Sequence, residues 1–523
     1  MTILSAWQNK WPKIRISKPA SIGEGVLDAG AFKSIEVNKV FDTINHAQTI
    51  IGQAVLYRSL VRPLDDLQRI KAKQEAVKEV QDNIALKESL ERIVQHAQQD
   101  ELRFHQLLFA KFLASGGTAR TVEEVEGYGY RQYRRGMHFI LDFVASVQNL
   151  ASPKSSYLKA IIEDVQAFTT TRTYALMEGP VYITEKGIQS RLDRKRLSPA
   201  IIFKPRIFKP LLIAMLLGAL LLVNVFVPIG ILSLSPMVAI FLIPMSLIYF
   251  PIIGGFDRDS CIKPLRDEYR NSADLAKALD ALGKLDELLA LVQYAAESAE
   301  PLVMPELIES KHHQVFLQNA KNPVLSKSDI AYVGNDFALE TEKLVLITGP
   351  NSGGKTAFCK TLTQIQLLAQ IGSYVPAAAA KLTVADRIFY QAPEISQLDD
   401  GEGRFGTELK RTKAIFLAST AKSLVVLDEL SEGTTFEEKM ETSVNVLDGF
   451  YQKGNSTLLI THNHQLVDYF MQRGQGIALQ VEFIGDAPTH KLIPGISRVS
   501  HAHRVAKKIG FSKEDIAGYL ADN

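Results

Sequence analysis

The hydrophobic pattern changes character three times along the chain. From Pro210 to Phe256 there is no charged residue. Two apolar runs in that stretch, Leu211 to Val227 and Leu232 to Ile253, flank Pro228-Ile229-Gly230. Each is close to the ~20 residues a helix needs to cross a ~30 Å hydrocarbon layer. Apart from Asn224 and a few serines, neither run keeps the polar stripe of a helix in a soluble core. The pattern predicts a two-helix transmembrane hairpin over 210–256, its second helix kinked by Pro236, Pro244 and Pro251. Before it, Ile70 to Phe112 and Tyr130 to Gly179 are amphipathic at helical spacing, and 257–299 continue that pattern after it. Further on, Leu344 to Thr348, Ser423 to Leu430 and Ser456 to Thr461 are short apolar runs, as expected of strands buried on both faces of a parallel sheet.

Charge gives the hairpin an orientation. Arg191, Arg194, Lys195, Arg196, Lys204, Arg206 and Lys209 precede it, Arg258, Lys263 and Arg266 follow it, and its turn carries none. The excess of basic residues on both flanks predicts a multi-pass inner-membrane protein with both ends in the cytoplasm. These residues read as contacts to anionic lipid rather than to DNA. The start of the chain is polar and basic, without the apolar core of a cleavable signal. With 59 Lys+Arg against 57 Asp+Glu, the net charge of +2 gives no strong nucleic-acid signature. Cys261 and Cys359 suggest no disulfide framework.

The most specific chemistry follows the run Leu344 to Thr348. Gly349-Pro350-Asn351-Ser352-Gly353-Gly354-Lys355-Thr356 has the spacing of a phosphate-binding loop and opens a helix predicted over about 357–371. Its glycines let successive N–H groups turn inward around a polyphosphate at a helix N-terminus. Lys355 is expected to reach the β- and γ-phosphates, and Thr356 to supply a hydroxyl to Mg²⁺. Downstream, the apolar run Ser423 to Leu430 ends in two carboxylates. Asp428 is placed to hold the Mg²⁺ shell and Glu429 to polarise an attacking water. The third run ends next to His462, placed to meet the γ-phosphate or the water. The implied reaction is Mg²⁺-dependent hydrolysis of ATP.

Together with their surroundings, these motifs resemble the MutS group of DNA mismatch-repair ATPases. The resemblance is carried by Ile347 to Ala377, including Asn351 and the ending Ile371-Gly372-Ser373-Tyr374-Val375-Pro376. Asn322-Pro323-Val324 and Tyr332 to Asp336 look like the family's strand and adenine-contacting turn. Phe41 to Val77 looks like the start of its helical core, and Leu282 to Ala295 like the core's returning helix. Residues 490–516 are similar to the closing segment. The resemblance implies that Asn351 faces the γ-phosphate, that Tyr332 stacks on the base and that His490 approaches the nucleotide. It also implies a homodimer whose nucleotide sites are completed by the neighbouring subunit.

The chain departs from the family pattern in several places. Ser431-Glu432-Gly433-Thr434 puts an anion where the family has a cation in the loop expected to meet the partner. Gly403 stands where a signature serine is usual, and His501-Ala502-His503 replaces much of a Ser-Tyr-Gly-Ile run. Only about 40 residues precede the core-like segment, and they contain no Phe-x-Glu wedge, so direct mismatch reading is not expected. At the other end, Ser512 with Asp515 predicts a capping box opening a final short helix.

The overall expectation is an α/β P-loop ATPase domain of ABC type joined to an all-α core and lever domain that the transmembrane hairpin interrupts. The segments are an N-terminal piece at 1–35, core and first lever at 36–209, hairpin at 210–256, returning helices at 257–305, and an ATPase domain with a C-terminal helical dimerisation segment at 306–523. Two roles remain open. One is an ATPase switch whose lever movement acts on the bilayer or on a membrane-protein partner. The other is a membrane-tethered DNA-binding factor of the repair or recombination type, recognising branched or mismatched DNA.

Overall fold

The computed structural model describes residues 18–113, 117–185, 187–194, 199–203, 215, 219, 252–328, 331–350, 353–393, 403–430, 435–485, 487–498 and 509–521. The chain divides into two compact units. Among the described residues, one comprises those within 46–56 and 79–290, and the other those within 18–45, 57–78 and 291–521.

The first unit is mainly helical. Asn83 ends the preceding helix, Leu67–Asp82, and its side chain accepts from Leu86 N–H to start α1, Ile84–Phe109. The amphipathic run beginning at Ile70 is therefore two helices, because an asparagine cap offers the backbone an alternative to continuing. α1 packs along α2, Tyr130–Gln148, with Phe104 stacked on Phe139 at 5.0 Å. The run from Tyr130 breaks after Gln148, where Asn149 caps the helix, and Ser152-Pro153 keeps it from resuming at once, since proline disfavours helix in the residue before it. It resumes as α3, Ser156–Phe168. A three-stranded antiparallel sheet follows, of β1 (Val181–Thr184), β2 (Gly187–Gln189) and β3 (Ile201–Phe203) in the order β2-β1-β3. From α4, Lys263–Arg270, the guanidinium of Arg266 donates to Leu108 O and Ala110 O, and that of Arg270 to Leu108 O, satisfying carbonyls that the end of α1 leaves outside its own ladder. α5, Ala273–Glu297, brings buried Asp286 to accept from Thr49 N–H at 2.7 Å, while Glu101 of α1 accepts from Ile50 and Ile51 N–H at 2.9 Å. Two carboxylates thus cap the start of the helix Ile50–Val61.

Among the described residues no helix is long and apolar enough to cross a membrane. Of the 210–256 stretch only 215, 219 and 252–256 are described, and the rest lies outside the described residues. At its described end the stretch runs into protein. Gly254 is buried against the Tyr128 ring, and the helical path continues to buried Cys261 and Ile262. A run without charge is compatible with packing of this kind as well as with lipid. The fold expectation of a transmembrane hairpin is corrected accordingly. The inner-membrane placement and the bilayer and membrane-protein partners, which rest on the hairpin, fall with it.

The second unit is an α/β arrangement around a six-stranded sheet. β4 (Glu306–Ile308), β5 (Val315–Ala320) and β6 (Asn335–Leu339) lead to β7 (Leu344–Thr348) and α6 (Lys355–Gln370). Then come β8 (Ala379–Thr383), β9 (Ile388–Gln391), α7 (Gly403–Ala418), β10 (Leu424–Asp428), α8 (Phe436–Lys453), β11 (Ser456–Ile460), α9 (His464–Gln472), β12 (Ile477–Ile484) and β13 (Ala487–Pro494). The large sheet has the order β9-β10-β11-β7-β12-β13, with every neighbour parallel except the β12–β13 hairpin. A smaller sheet has the order β4-β8-β5-β6. All three predicted runs are strands, and β7 and β11 are buried at every position. Leu346, Phe389, Leu427, Phe450, Leu459 and Phe470 join the core that packs helices on the large sheet. Because parallel strands all point one way, the C-terminal ends of β7, β10 and β11 open on one edge.

Candidate functional site

At that edge the loop after β7 turns into α6. Gly349 has φ +128° and Gly354 φ +95°, angles that strain any residue with a Cβ. Gly353 is required by space: a Cβ there would lie 2.7 Å from Val481 Cγ2 on β12. Lys355, the first residue of α6, is buried, and its Nζ donates to Gly349 O at 2.6 Å and to Pro350 O at 2.9 Å. Burial lowers the pKa of its ammonium, and the nearby Glu429 and Asp428 carboxylates oppose that shift. Asn351 and Ser352 lie outside the described residues.

Thr356 Oγ1 donates to Asp428 Oδ2 at 3.2 Å, joining the loop to the end of β10. In the β10–β11 register Asp428 faces Ile460, so Glu429 and His462 leave the sheet side by side. Glu429 adopts φ +66°, and its N–H donates to Ile460 O at 3.0 Å. This left-handed residue, unusual for glutamate, turns the chain at the strand end. The Glu429 carboxylate lies 3.6 Å from His462 Nε2 and 3.7 Å from Lys439 Nζ of α8. Lys355, Thr356, Asp428, Glu429 and His462 are therefore gathered at one end of α6.

The two flanking residues are also near this helix. Tyr332 is half-buried, with its hydroxyl 3.2 Å from Thr361 Oγ1 on α6, and burial raises its pKa. His490 has φ +62°, and its Nδ1 lies 3.4 Å from where a Cβ on Gly354 would be. Its carbonyl accepts from Asn335 Nδ2 at 3.0 Å. The departing segments 401–402, 431–434 and 499–508 lie outside the described residues.

Chemically, the edge offers a glycine-rich turn at a helix N-terminus, a desolvated cation and a hydroxyl–carboxylate pair of the kind that ligates a hard divalent metal, beside a second carboxylate. Residues 345–518 match the profile of MutS domain V. By this match the stretch reads as a MutS domain V.

The relatives agree. The chain is 31% identical over 255 residues to "Endonuclease MutS2" of Lactiplantibacillus plantarum, a match covering 48% of this chain and 31% of that protein. It is 32% identical over 247 residues to "DNA mismatch repair protein MutS" of Prochlorococcus marinus, covering 45% and 27%. For the MutS of Desulforamulus reducens the identity is 34% over 201 residues, covering 38% and 23%. The matched part of the chain thus spans about a third or less of each curated relative.

This MutS domain V contains side chains that motif reading does not single out. Val481 closes on the loop from β12, and Lys439 reaches Glu429 from α8. The interior of α6 carries buried Gln364, Gln366 and Gln370. Gln364 Nε2 donates to Ile35 O at 2.7 Å, and Gln370 Nε2 to Leu64 O at 2.7 Å and Ala385 O at 2.9 Å. The sequence signal is three glutamines within one helix whose other positions are largely apolar, too polar for a core unless each amide is satisfied.

Proposed function

We propose that this chain is a MutS-type ATPase that binds ATP at the loop between β7 and α6 and hydrolyses it by in-line attack of water. The observation that carries this reading is the meeting of Thr356 and Asp428 at 3.2 Å with Glu429 as the next residue. Lys355 and the backbone of the loop from Gly349 through Gly354 would bind the phosphates. Thr356 and Asp428 fit the requirements of Mg²⁺, two hard oxygen donors at hydrogen-bond separation. When bound there, that ion would neutralise phosphate charge as the transferred group leaves. Glu429 would hold the water and take its proton, with Lys439 and His462 steadying the carboxylate. His462 and Asn351 would face the γ-phosphate, Tyr332 the base, and His490 the nucleotide from β13. The active unit is a homodimer, in which ATP turnover drives movement of the helical unit.

Glu429→Gln tests the reading directly. ATP binding should persist while turnover falls by about 10²-fold or more, since a positioned base is removed without losing shape. Unchanged turnover would take Glu429 out of the mechanism.

A second reading, DNA binding, is supported by Arg131, Arg134, Arg135 and His138. They occupy one exposed face of α2 at the i, i+3, i+4, i+7 spacing. Replacing the three arginines with serine should flatten the salt dependence of binding to duplex or branched DNA. A protein that binds none of these DNAs at low salt excludes the reading.

A further inference from the structure

The hydroxyl of Thr361 has one proton, and the structure commits it. Thr361 Oγ1 donates to Ala357 O at 2.8 Å, one turn back on α6. Its lone pairs must therefore accept from its other two partners, Asn322 Nδ2 at 3.1 Å and Tyr332 OH at 3.2 Å. Tyr332 is thus the donor. Asn322 is fully engaged as well. Its second amide proton goes to Gln364 Oε1 at 2.9 Å, and its Oδ1 accepts from Val324 N–H at 3.0 Å and Leu325 N–H at 2.9 Å. An amide with both ends satisfied in this way cannot flip without losing several hydrogen bonds at once. Gln364 in turn donates to Ile35 O at 2.7 Å, so the arrangement is tied to backbone at both ends. Thr361 and Asn322 are buried, while Tyr332 is only half-buried.

We infer that Asn322 and Thr361 are positioning residues for the nucleobase: they lock the Tyr332 ring as a stacking platform whose hydroxyl is turned away into the protein. This rests on the reading of Tyr332 as the base contact. Because the hydroxyl proton is consumed internally, Tyr332 offers a purine its face and no donor. The pair fixes where the base lies and leaves the phosphate grip of Lys355 and Thr356 untouched. A residue ordered before ligand arrives loses less rotamer freedom on binding, and this is the source of the affinity.

The test compares two ligands, ATP and inorganic tripolyphosphate, each with Mg²⁺, by calorimetry. Thr361→Val keeps the shape of the side chain and removes the acceptor. It should weaken ATP about five- to tenfold, the scale of the Tyr332 hydrogen bond among the three that are lost, while tripolyphosphate affinity stays within about twofold. Thr361→Ser should restore ATP binding, and Tyr332→Phe, which breaks the same bond from the tyrosine side, should reproduce the selective loss. Equal weakening of both ligands means that the pair merely supports α6, and overturns the proposal. So does a Thr361→Val protein that binds ATP normally while Tyr332→Ala does not. If Tyr332→Ala also binds ATP normally, the base-contact reading itself has failed, and the positioning role fails with it.

Discussion

Thr356 Oγ1 and Asp428 Oδ2 meet at 3.2 Å across the gap between the loop after β7 and the end of β10. The two oxygens come from parts of the chain far apart in sequence, and only the strand order β10-β11-β7 brings them together. Asp428→Asn keeps the size of the side chain and removes the anionic oxygen that a hard cation prefers. The Mg²⁺ concentration for half-maximal ATP turnover should rise about tenfold or more with little change in thermal stability. A titration of activity against Mg²⁺ checks this, and an unchanged midpoint excludes Asp428 from the metal shell.

Gly353 and Val481 are predicted to be coupled. A methyl at 353 would fall 2.7 Å from Val481 Cγ2 and 2.9 Å from its Cγ1. Gly353→Ala should weaken nucleotide binding at least about tenfold, because the loop must shift from the phosphates. Val481→Ala opens the space, so Gly353→Ala combined with Val481→Ala should bind better than Gly353→Ala alone. A double-mutant cycle measured by nucleotide affinity decides the point, and strictly additive effects would contradict it.

His313 makes the second unit sensitive to acid. Its ring is fully buried, and desolvation lowers its pKa to about 4, with the hydrogen bond to Gln366 acting in the other direction. The unfolded chain, with an ordinary histidine near 6.5, binds more protons between pH 4 and 6.5. The contribution is therefore complete above pH 6.5 and is lost as pH falls toward 4. Going from pH 7 to pH 5 should cost about 2 kcal/mol, and His313→Gln should remove that dependence. The comparison must be variant against parent, because Glu101, raised to about 7 by burial, acts with the opposite sign. Parallel urea midpoints at the two pH values provide it.

Gln370 engages backbone on both sides of α6. Besides donating to Leu64 O and Ala385 O, it accepts from Ala385 N–H at 3.1 Å and Gln366 Nε2 at 2.8 Å. Gln370→Leu should destabilise the protein by about 3 kcal/mol, since several buried polar groups lose their partner together. A loss below about 1 kcal/mol in denaturant unfolding would show that the network relaxes around the change.

Features that depend on near neighbours along the chain are legible in the residues themselves. The loop from Gly349 to Thr356 has its strand and helix, with α6 starting at Lys355 rather than near Ala357. Ser512 and Asp515 form the reciprocal cap, with Ser512 N–H on Asp515 Oδ2 at 2.8 Å and Asp515 N–H on Ser512 Oγ at 3.2 Å. What cannot be read this way depends on the far side of the fold. Nothing around Gly353 announces Val481, and nothing near Gln364 points to Ile35. The bridge between Leu27 and Ile388, which sets Leu27 beside the edge of the large sheet, has no local signal either. The apolar stretch at 210–256 misleads for the complementary reason, because hydropathy states a preference for leaving water without naming the new neighbour.

Lys355 has a further consequence for binding. In this structure the ammonium rests on the carbonyls of Gly349 and Pro350, shielded from solvent. Arrival of a polyphosphate therefore exchanges neutral oxygen partners for charged ones within the protein, with little hydration shell left to strip from the cation. An attraction formed in that sheltered space is poorly reached by dissolved salt. Tightness at the nucleotide pocket should consequently persist in brine that would silence a lysine on the surface.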